Sequence, residues 1–210
     1  MQAAEGVNRA DAPVGEGPMP APSSVLVRVP TRADVDRLAE INATTWRHAY
    51  AGLVPDAYLQ TMEPARLRQR WLQRLADANG DRTCLAAEIG GTITSYAIGG
   101  TYRAQHDGDP REDTAGWGEL FALYTDPAYQ GLGAGGAVHA VLIHRLAERG
   151  FSTAALWVLE SNVRAQAWYA ARGWRPDGTG SQWLGAGEPL KEVRLVRRLA
   201  ERLSAELEGA

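Results

Sequence analysis

Four glycines within six positions, in the segment YQGLGAGG at residues 129–136, are the strongest chemical signal in this chain. A glycine run leaves backbone N–H groups uncovered, and such groups bind anions when they lie at the N-terminus of a helix. The residues that follow have helical spacing of apolar side chains, up to Gly150. The run is therefore predicted to be an anion-binding loop at the start of a helix.

Two further stretches carry side chains that could take part in proton transfer. Asn162 and Tyr169 are seven residues apart, which is two helical turns, so both can face one ligand from the same side of a helix. Glu119 lies in WGELFALYT at 117–125, a predicted strand, and a carboxylate there could accept a proton. It shares strand parity with Phe121 and Leu123 unless a bulge interrupts the strand.

The elements that must position these residues alternate between strand and helix patterns. A strand at 25–29 precedes a helix that Thr31 can cap, and Gly90-Gly91 joins two strands of a hairpin. The other predicted elements are helices at 56–62, 65–78 and 163–172, strands at 152–159 and 192–199, a strand beginning at Trp174, and a polar glycine-rich excursion at 177–187.

Composition limits the function classes. A chain of 210 residues with 45% apolar content can bury one good core, and a net charge of −3 gives no footprint for nucleic acid. The single cysteine, Cys84, excludes an internal disulfide and favours a cytoplasmic protein, and no ligand cluster for a metal stands out. Residues 1–24 are predicted to be a disordered leader rather than a signal peptide. No apolar stretch is long enough to cross a membrane. Residues 200–210 are predicted to form a polar tail.

Two interpretations of the glycine run compete. Gly131, Gly133 and Gly136 have the G-x-G-x-x-G spacing of dinucleotide-binding folds, but DPAYQ separates them from the preceding strand and too little chain follows for a doubly wound sheet. Gln130, Gly133 and Gly135 have instead the Q-x-x-G-x-G spacing of acetyl-CoA-dependent acyltransferases. The flanking segments, TTWRHAYAGLVPDAYL, ELFALYTDPAYQGLGAGGAVHAVLIHRLAERG and LWVLESNVRAQAWYAARGWRPDG, resemble the GNAT family, the Gcn5-related N-acetyltransferases, over about 25–199.

This resemblance implies a fold and a cofactor. The fold is α/β, of the α+β kind: one GNAT domain at 25–199 with a mixed, mostly antiparallel sheet flanked by helices. Its fourth and fifth strands, at 117–125 and 152–159, splay apart to admit acetyl-CoA. The residues implied to bind the cofactor are Leu123, Tyr124 and Thr125 for the pantetheine arm, Gln130, Gly131, Leu132, Gly133, Ala134 and Gly135 for the pyrophosphate, and Asn162 and Tyr169.

The resemblance also implies a reaction, in which an amine attacks the acetyl group directly. Tyr169 would protonate the leaving thiolate, and Glu119 or a water molecule would deprotonate the amine. The acceptor, a small molecule or a protein, would lie near Trp46, His48 and Tyr50 and near the acidic loop at 106–113. A GNAT-like module that binds acetyl-CoA without turnover stays open as an alternative, and so does the choice between monomer and homodimer.

Overall fold

The structure is a computed structural model that describes residues 24–76, 81–103 and 114–199. The predicted leader (apart from Ser24), the acidic loop at 106–113 and the tail at 200–210 lie outside the described residues. The predicted boundaries of the domain at 25–199 therefore stay predictions.

Seven strands and five α-helices make up the described part of the chain. The strands are β1 (Val25–Arg28), β2 (Arg82–Ile89), β3 (Thr92–Thr101), β4 (Trp117–Thr125), β5 (Thr153–Leu159), β6 (Arg175–Trp183) and β7 (Leu190–Arg198). The helices are α1 (Val35–Ala49), α2 (Asp56–Gln60), α3 (Pro64–Ala76), α4 (Ala134–Glu148) and α5 (Val163–Ala170), with short 3-10 turns at Arg32–Asp34 and Pro127–Tyr129.

All seven strands form one sheet in the order β1-β2-β3-β4-β5-β7-β6. Every neighbouring pair is antiparallel except β4 and β5, which are parallel. The predicted hairpin turns at Gly90 and Gly91, whose φ angles of +58° and +79° suit a tight turn that only glycine adopts easily. The predicted fold class, a mixed and mostly antiparallel sheet, is confirmed.

The parallel pair β4 and β5 is joined at one end only. Pairing covers residues 117–119 of β4 and 153–155 of β5, and it stops there. In the same region the register between β4 and β3 shifts, because Leu120 pairs with Gly99 and Ala122 with Ile98. Phe121 is thus an extra residue, a bulge that bends β4. The gap that opens beyond Glu119 is the splay expected from the sequence.

The bulge also decides which side of the sheet each β4 side chain faces. Leu120 and Leu123 pack in the core that α4 covers, whereas Phe121 and Tyr124 pack in the core that α1 and α3 cover. The simple parity between Glu119 and Leu123 is therefore broken at the bulge. Glu119 stays on the side of Phe121, since the Arg103 guanidinium contacts both side chains.

One predicted element is wrong. The polar, glycine-rich segment at 177–187 was expected to leave the sheet, but β6 continues through it to Trp183. The register of β6 shifts between Pro176 and Gly180, so three residues stand opposite one residue of β7. That residue, Arg194, is buried and donates hydrogen bonds to Asp177 and Thr179. The polar residues therefore satisfy a buried cation inside the sheet.

Candidate active site

The glycine-rich loop connects β4 to α4 at the open end of the gap. Gly131 and Gly133 have φ angles of +83° and +92°, a left-handed conformation that other residues adopt only with strain, and Gly133 is the N-cap of α4. Within the described residues, no N–H group of 131–136 donates a hydrogen bond to a backbone carbonyl. This row of free donors at a helix N-terminus is suited to an anion.

Gly135 has a different reason to be glycine. A Cβ atom there would lie 2.7 Å from the Thr125 Oγ1 atom, which is closer than two such atoms approach in real structures. Thr125 is itself held by Ser95, because the two hydroxyl oxygens are 2.9 Å apart. The loop therefore packs directly on the end of β4, and Gly135 is what allows that contact.

The other predicted loop residues differ in burial. Ala134 is buried at the start of α4, whereas Leu132 is 58% exposed. The side-chain oxygen of Gln130 accepts a hydrogen bond from Arg164 at the start of α5, with 2.8 Å between the atoms. Gln130 thus connects the loop to the helix that carries Tyr169.

The triplet Leu123, Tyr124 and Thr125 pairs with β3 along one edge only. The other edge faces β5, with which no pairing exists beyond Glu119. The Ser95 hydroxyl donates to the carbonyl of Tyr124 at 2.8 Å and so ties this part of β4 to β3. A ligand entering the gap can pair with the free edge of β4 as an added strand would.

Helix α5 borders the gap from the β5 side. Asn162 is 9% exposed and caps the helix, since its side-chain oxygen accepts a hydrogen bond from the Ala165 N–H at 3.1 Å. Tyr169 is half-buried, with its ring 5.9 Å from that of Trp174. Burial raises the pKa of Tyr169, and the Tyr124 hydroxyl adds to the rise. The Tyr169 hydroxyl is therefore protonated at neutral pH and can donate a proton.

Two carboxylates that interact electrostatically lie near the gap, one on β4 and one on β7. Glu119 is 3% exposed and forms an ion pair with the Arg103 guanidinium at 2.7 Å, and it also accepts the Arg103 backbone N–H at 2.9 Å. Glu192 is half-buried on β7, opposite Leu159 of β5. Burial and, second, the charge of Glu119 raise the pKa of Glu192 to about 7. Glu192 is therefore poised to exchange a proton near neutral pH.

Sequence reasoning missed Glu192. It falls in an alternating strand with no diagnostic spacing to Glu119, and only the order of the strands brings the two carboxylates together. Arg103, the partner of Glu119, was missed for the same reason. Neither residue carries a local motif that could have revealed its role.

Two of the three predicted acceptor-site residues, Trp46 and Tyr50, lie together in an aromatic cluster. The ring of Trp46 is 4.6 Å from that of Tyr50 and 5.8 Å from those of Tyr58 and Trp183, centroid to centroid. Tyr58 and Trp183, on α2 and β6, were not predicted. Burial raises the pKa of Tyr50, and electrostatic interactions with Tyr169 and Glu192 raise it further. The aromatic cluster is thus close to both the proposed acid and the poised carboxylate, whereas His48 is exposed.

Metal-binding clusters and membrane-spanning helices are both absent from the described residues. These residues contain no group of three or more His, Cys, Asp or Glu side chains that could hold a metal ion. None of the helices in this part of the chain is long and apolar enough to span a bilayer.

Comparisons with known proteins agree with this geometry. Residues 37–174 match the sequence model of the acetyltransferase (GNAT) family. An uncharacterized N-acetyltransferase of Mycobacterium bovis is 32% identical over 154 residues, which are 73% of this chain and 90% of that protein. One of Bacillus subtilis is 28% identical over 138 residues, which are 66% of this chain and 73% of that protein.

Solved structures share the fold. PaiA N-acetyltransferase from Thermoplasma acidophilum, solved in complex with coenzyme A, has a TM-score of 0.63 and 17% identity, with 83% of this chain and 99% of that chain covered. YncA from Salmonella typhimurium, solved with acetyl-CoA, has a TM-score of 0.62 and 19% identity, with 88% of this chain and 99% of that chain covered.

The chain therefore belongs to the GNAT acetyltransferase family. The family, fold and enzyme class expected from the sequence, those of an acetyltransferase with acetyl-CoA as donor, are confirmed. The dinucleotide interpretation of Gly131, Gly133 and Gly136 is excluded by this assignment. None of these relatives is named as a binding module without catalytic activity.

Proposed function

We propose that the protein transfers the acetyl group of acetyl-CoA to a primary amine by direct attack within a ternary complex. The observation that carries this proposal is the gap between β4 and β5. Free N–H groups lie at its end, an unpaired edge of β4 lies along one side, and Tyr169 lies on the other. A thioester held in this gap would meet every group that its transfer chemistry requires.

The cofactor would bind through main-chain groups. The N–H groups of residues 131–136 and the dipole of α4 suit the pyrophosphate, and the free edge of β4 at 123–125 suits the amide groups of the pantetheine arm. Asn162 uses its side-chain oxygen to cap α5, which leaves its NH₂ group to donate to the same arm.

In the reaction, the amine nitrogen would attack the carbonyl carbon of the thioester, and the carbon–sulfur bond would break. The departing thiolate takes the proton of the Tyr169 hydroxyl, which burial keeps in its protonated form. The products are the acetylated amine and coenzyme A with a free thiol.

The amine must lose a proton, and we assign its acceptance to Glu192, directly or through water. Glu119 was the base suggested by the sequence, but its carboxylate oxygens already accept three hydrogen bonds from Arg103. Glu119 then contributes through its charge, which helps to raise the pKa of Glu192 to about 7. A base with that pKa is half-ionised at neutral pH, where general-base catalysis is most efficient.

We further propose that the domain spans 25–199, with the leader at 1–24 and the tail at 200–210 outside it, and that it acts in the cytoplasm. The described part of the chain carries one cysteine, Cys84, whose pKa is raised by burial. A thiol of this kind is a packing group with low reactivity.

The test is a thermal-shift panel of acetyl-CoA, coenzyme A, NADH and NADPH, followed by a thiol-release assay with amines. A ligand at 100 times its Kd adds about 2.7 kcal/mol, a rise of roughly 5 to 10 °C for a chain of this size. We expect this rise with both coenzyme A forms and thiol release only when an amine is added. A rise without thiol release for any amine would support the non-catalytic alternative.

A further inference from the structure

A pocket of about 200 Å³ lies on the α1 and α3 side of β4. Phe121 and Tyr124 of β4 line it, and it shares Trp46 and Tyr58 with the aromatic cluster. Sites for drug-sized ligands have about 300 to 1,000 Å³, so this pocket suits a smaller molecule. Its position next to the free edge of β4 makes it part of the space where an acceptor would approach the acetyl group.

Within the described part of the chain, arginines are the only charged residues that line this pocket. Arg70 and Arg74, one turn apart on α3, both contribute to its wall, and none of the aspartates and glutamates that the structure describes does. Among the described residues, neither guanidinium forms a hydrogen bond or an ion pair with another side chain. Two cations without acidic partners at a concave site are a ready binding place for an anion.

Arg74 is directed inward. It is half-buried, and its guanidinium carbon lies 4.9 Å from the centroid of the Trp71 ring at the pocket wall. Burial raises the pKa of Tyr96 and of Tyr124, and the positive charge of Arg74 partly opposes this rise in both. The Arg74 charge is therefore effective at two of the three tyrosines that line the pocket.

The uncharged polar groups of the pocket can also bind an acid. The Asn42 side-chain NH₂ group donates to the Tyr96 hydroxyl at 2.6 Å, and both residues line the pocket. The amide keeps a second N–H, and the phenol keeps its own O–H proton for a further acceptor. An oxygen-rich anionic group would match these donors as well as the arginines.

We infer that the acceptor is a small primary amine that also carries an acid group, in the simplest case a free amino acid. Its acid group binds to Arg70 and Arg74, and its amine passes Tyr124 toward Glu192. The arginines line the pocket, whereas the carboxylates Glu119 and Glu192 lie outside its lining, and this separation of charges matches that of a zwitterion. This inference rests on the proposed acetyltransferase function and narrows its substrate class.

The experiment compares each of the twenty amino acids with its carboxamide, with acetyl-CoA as donor and thiol release as readout, in the full chain and in Arg74→Gln. The amine of the carboxamide has a lower pKa than that of the amino acid and is more fully deprotonated at neutral pH. Because only the unprotonated amine is a nucleophile, a preference for the amino acid would have to come from recognition of its acid group. Arg66→Gln is the matched control, since Arg66 is an exposed arginine of the same helix that does not line the pocket. A peptide with a free N-terminal alanine and a C-terminal amide tests a protein acceptor.

We expect the best amino acid to exceed its carboxamide in kcat/KM. Arg74→Gln should lower kcat/KM for the acid about 10- to 100-fold, the usual size of a charged hydrogen bond, and leave that for the carboxamide unchanged. Arg74→Lys should restore part of the loss, and thermal unfolding should show that all variants fold.

Two results would overturn the inference while the acetyltransferase function stands. One is turnover of carboxamides or of the peptide at rates equal to or above those of the acids. The other is an acid-to-amide ratio that Arg74→Gln and Arg70→Gln both leave unchanged. Absence of thiol release with every amine would instead reject the proposed function, and the inference with it.

Discussion

The two sides of β4 are built in different ways. On the side proposed to bind acetyl-CoA, here called the cofactor side, the groups that face the gap are main-chain N–H and C=O groups of the glycine loop and of β4, with few side chains from α5. On the side proposed to bind the acceptor, here called the acceptor side, the groups are aromatic and charged side chains from several helices and strands, among them Trp46, Arg74, Trp183 and Glu192. The groups on the cofactor side come from short stretches of the sequence, whereas those on the acceptor side come from residues that are far apart in the sequence.

This difference has a functional meaning. Main-chain recognition depends on backbone shape, so the cofactor side needs glycines where φ is positive or where two segments touch. Side-chain recognition depends on residue identity, which can change without altering the backbone. A fold built in this way can keep one donor and accept many amines, because substrate choice depends on side chains that do not shape the cofactor loop.

The largest effect is expected from the loop. Gly133→Glu places a side chain at a φ angle of +92° and a carboxylate against the proposed pyrophosphate site, so the affinity for acetyl-CoA should fall at least about 100-fold. Calorimetric titration measures the change. Gly133→Ala separates strain from charge, and Gly116→Glu is the control, since Gly116 has a φ angle of +77° and lies outside the loop. Undiminished affinity in Gly133→Glu would place the pyrophosphate elsewhere.

The second effect concerns Tyr169, the proposed acid on the cofactor side. Tyr169→Phe removes the proposed acid but keeps the ring, so kcat should fall about 10²- to 10⁴-fold while the Kd for acetyl-CoA changes little. Trp168→Phe, on the same helix, is the matched control and should keep most of the activity. Wild-type turnover in Tyr169→Phe would remove this hydroxyl from the mechanism.

The same contrast explains which features of the fold and of the candidate site could be predicted from the sequence. The glycine spacing at 130–136 and the segments around it predicted the family, the splayed strands and the loop, because these depend on local backbone conformation. The sequence predicted a short helix at 163–172, and the structure has α5 there, with Asn162 as its N-cap and Tyr169 in its last turn. Local pattern and local structure coincide on the cofactor side.

On the acceptor side, the sequence pattern identified only some of the residues that lie together. Trp46 and Tyr50 were predicted from one segment, but Tyr58, Trp183 and Glu192 reach the same region only through the order of the strands and helices. The segment at 177–187 was misassigned as an excursion, since the buried Arg194 that holds its polar residues is distant in sequence. Contacts between residues that are far apart in the sequence leave no recognisable pattern in a short segment of it.

The third prediction tests the acceptor side by pH. If Glu192 is the base, kcat/KM should rise as the pH increases through about 7, because the carboxylate must be unprotonated to accept the proton. Glu192→Gln should remove this inflection and lower kcat/KM at pH 8 by about 10²-fold or more. Glu188→Gln, an exposed residue in the loop between β6 and β7, serves as the control. A retained inflection near pH 7 would point to another base.

The smallest effect joins the two sides through Thr125 and Gly135. Gly135→Ala should lower the free energy of unfolding by about 1 to 3 kcal/mol, because its Cβ would lie 2.7 Å from the Thr125 Oγ1 atom. Thr125→Ala removes that oxygen together with its contact to the Ser95 hydroxyl, at a cost of about 1 kcal/mol. In the double variant the new methyl group has space, so the two losses should not add, with a coupling of about 0.5 to 2 kcal/mol.

Denaturant unfolding of the four proteins measures this coupling, and titration with acetyl-CoA shows whether affinity recovers in parallel. Additive losses would mean that the loop and β4 move independently, and that the shape of the cofactor side does not depend on this contact.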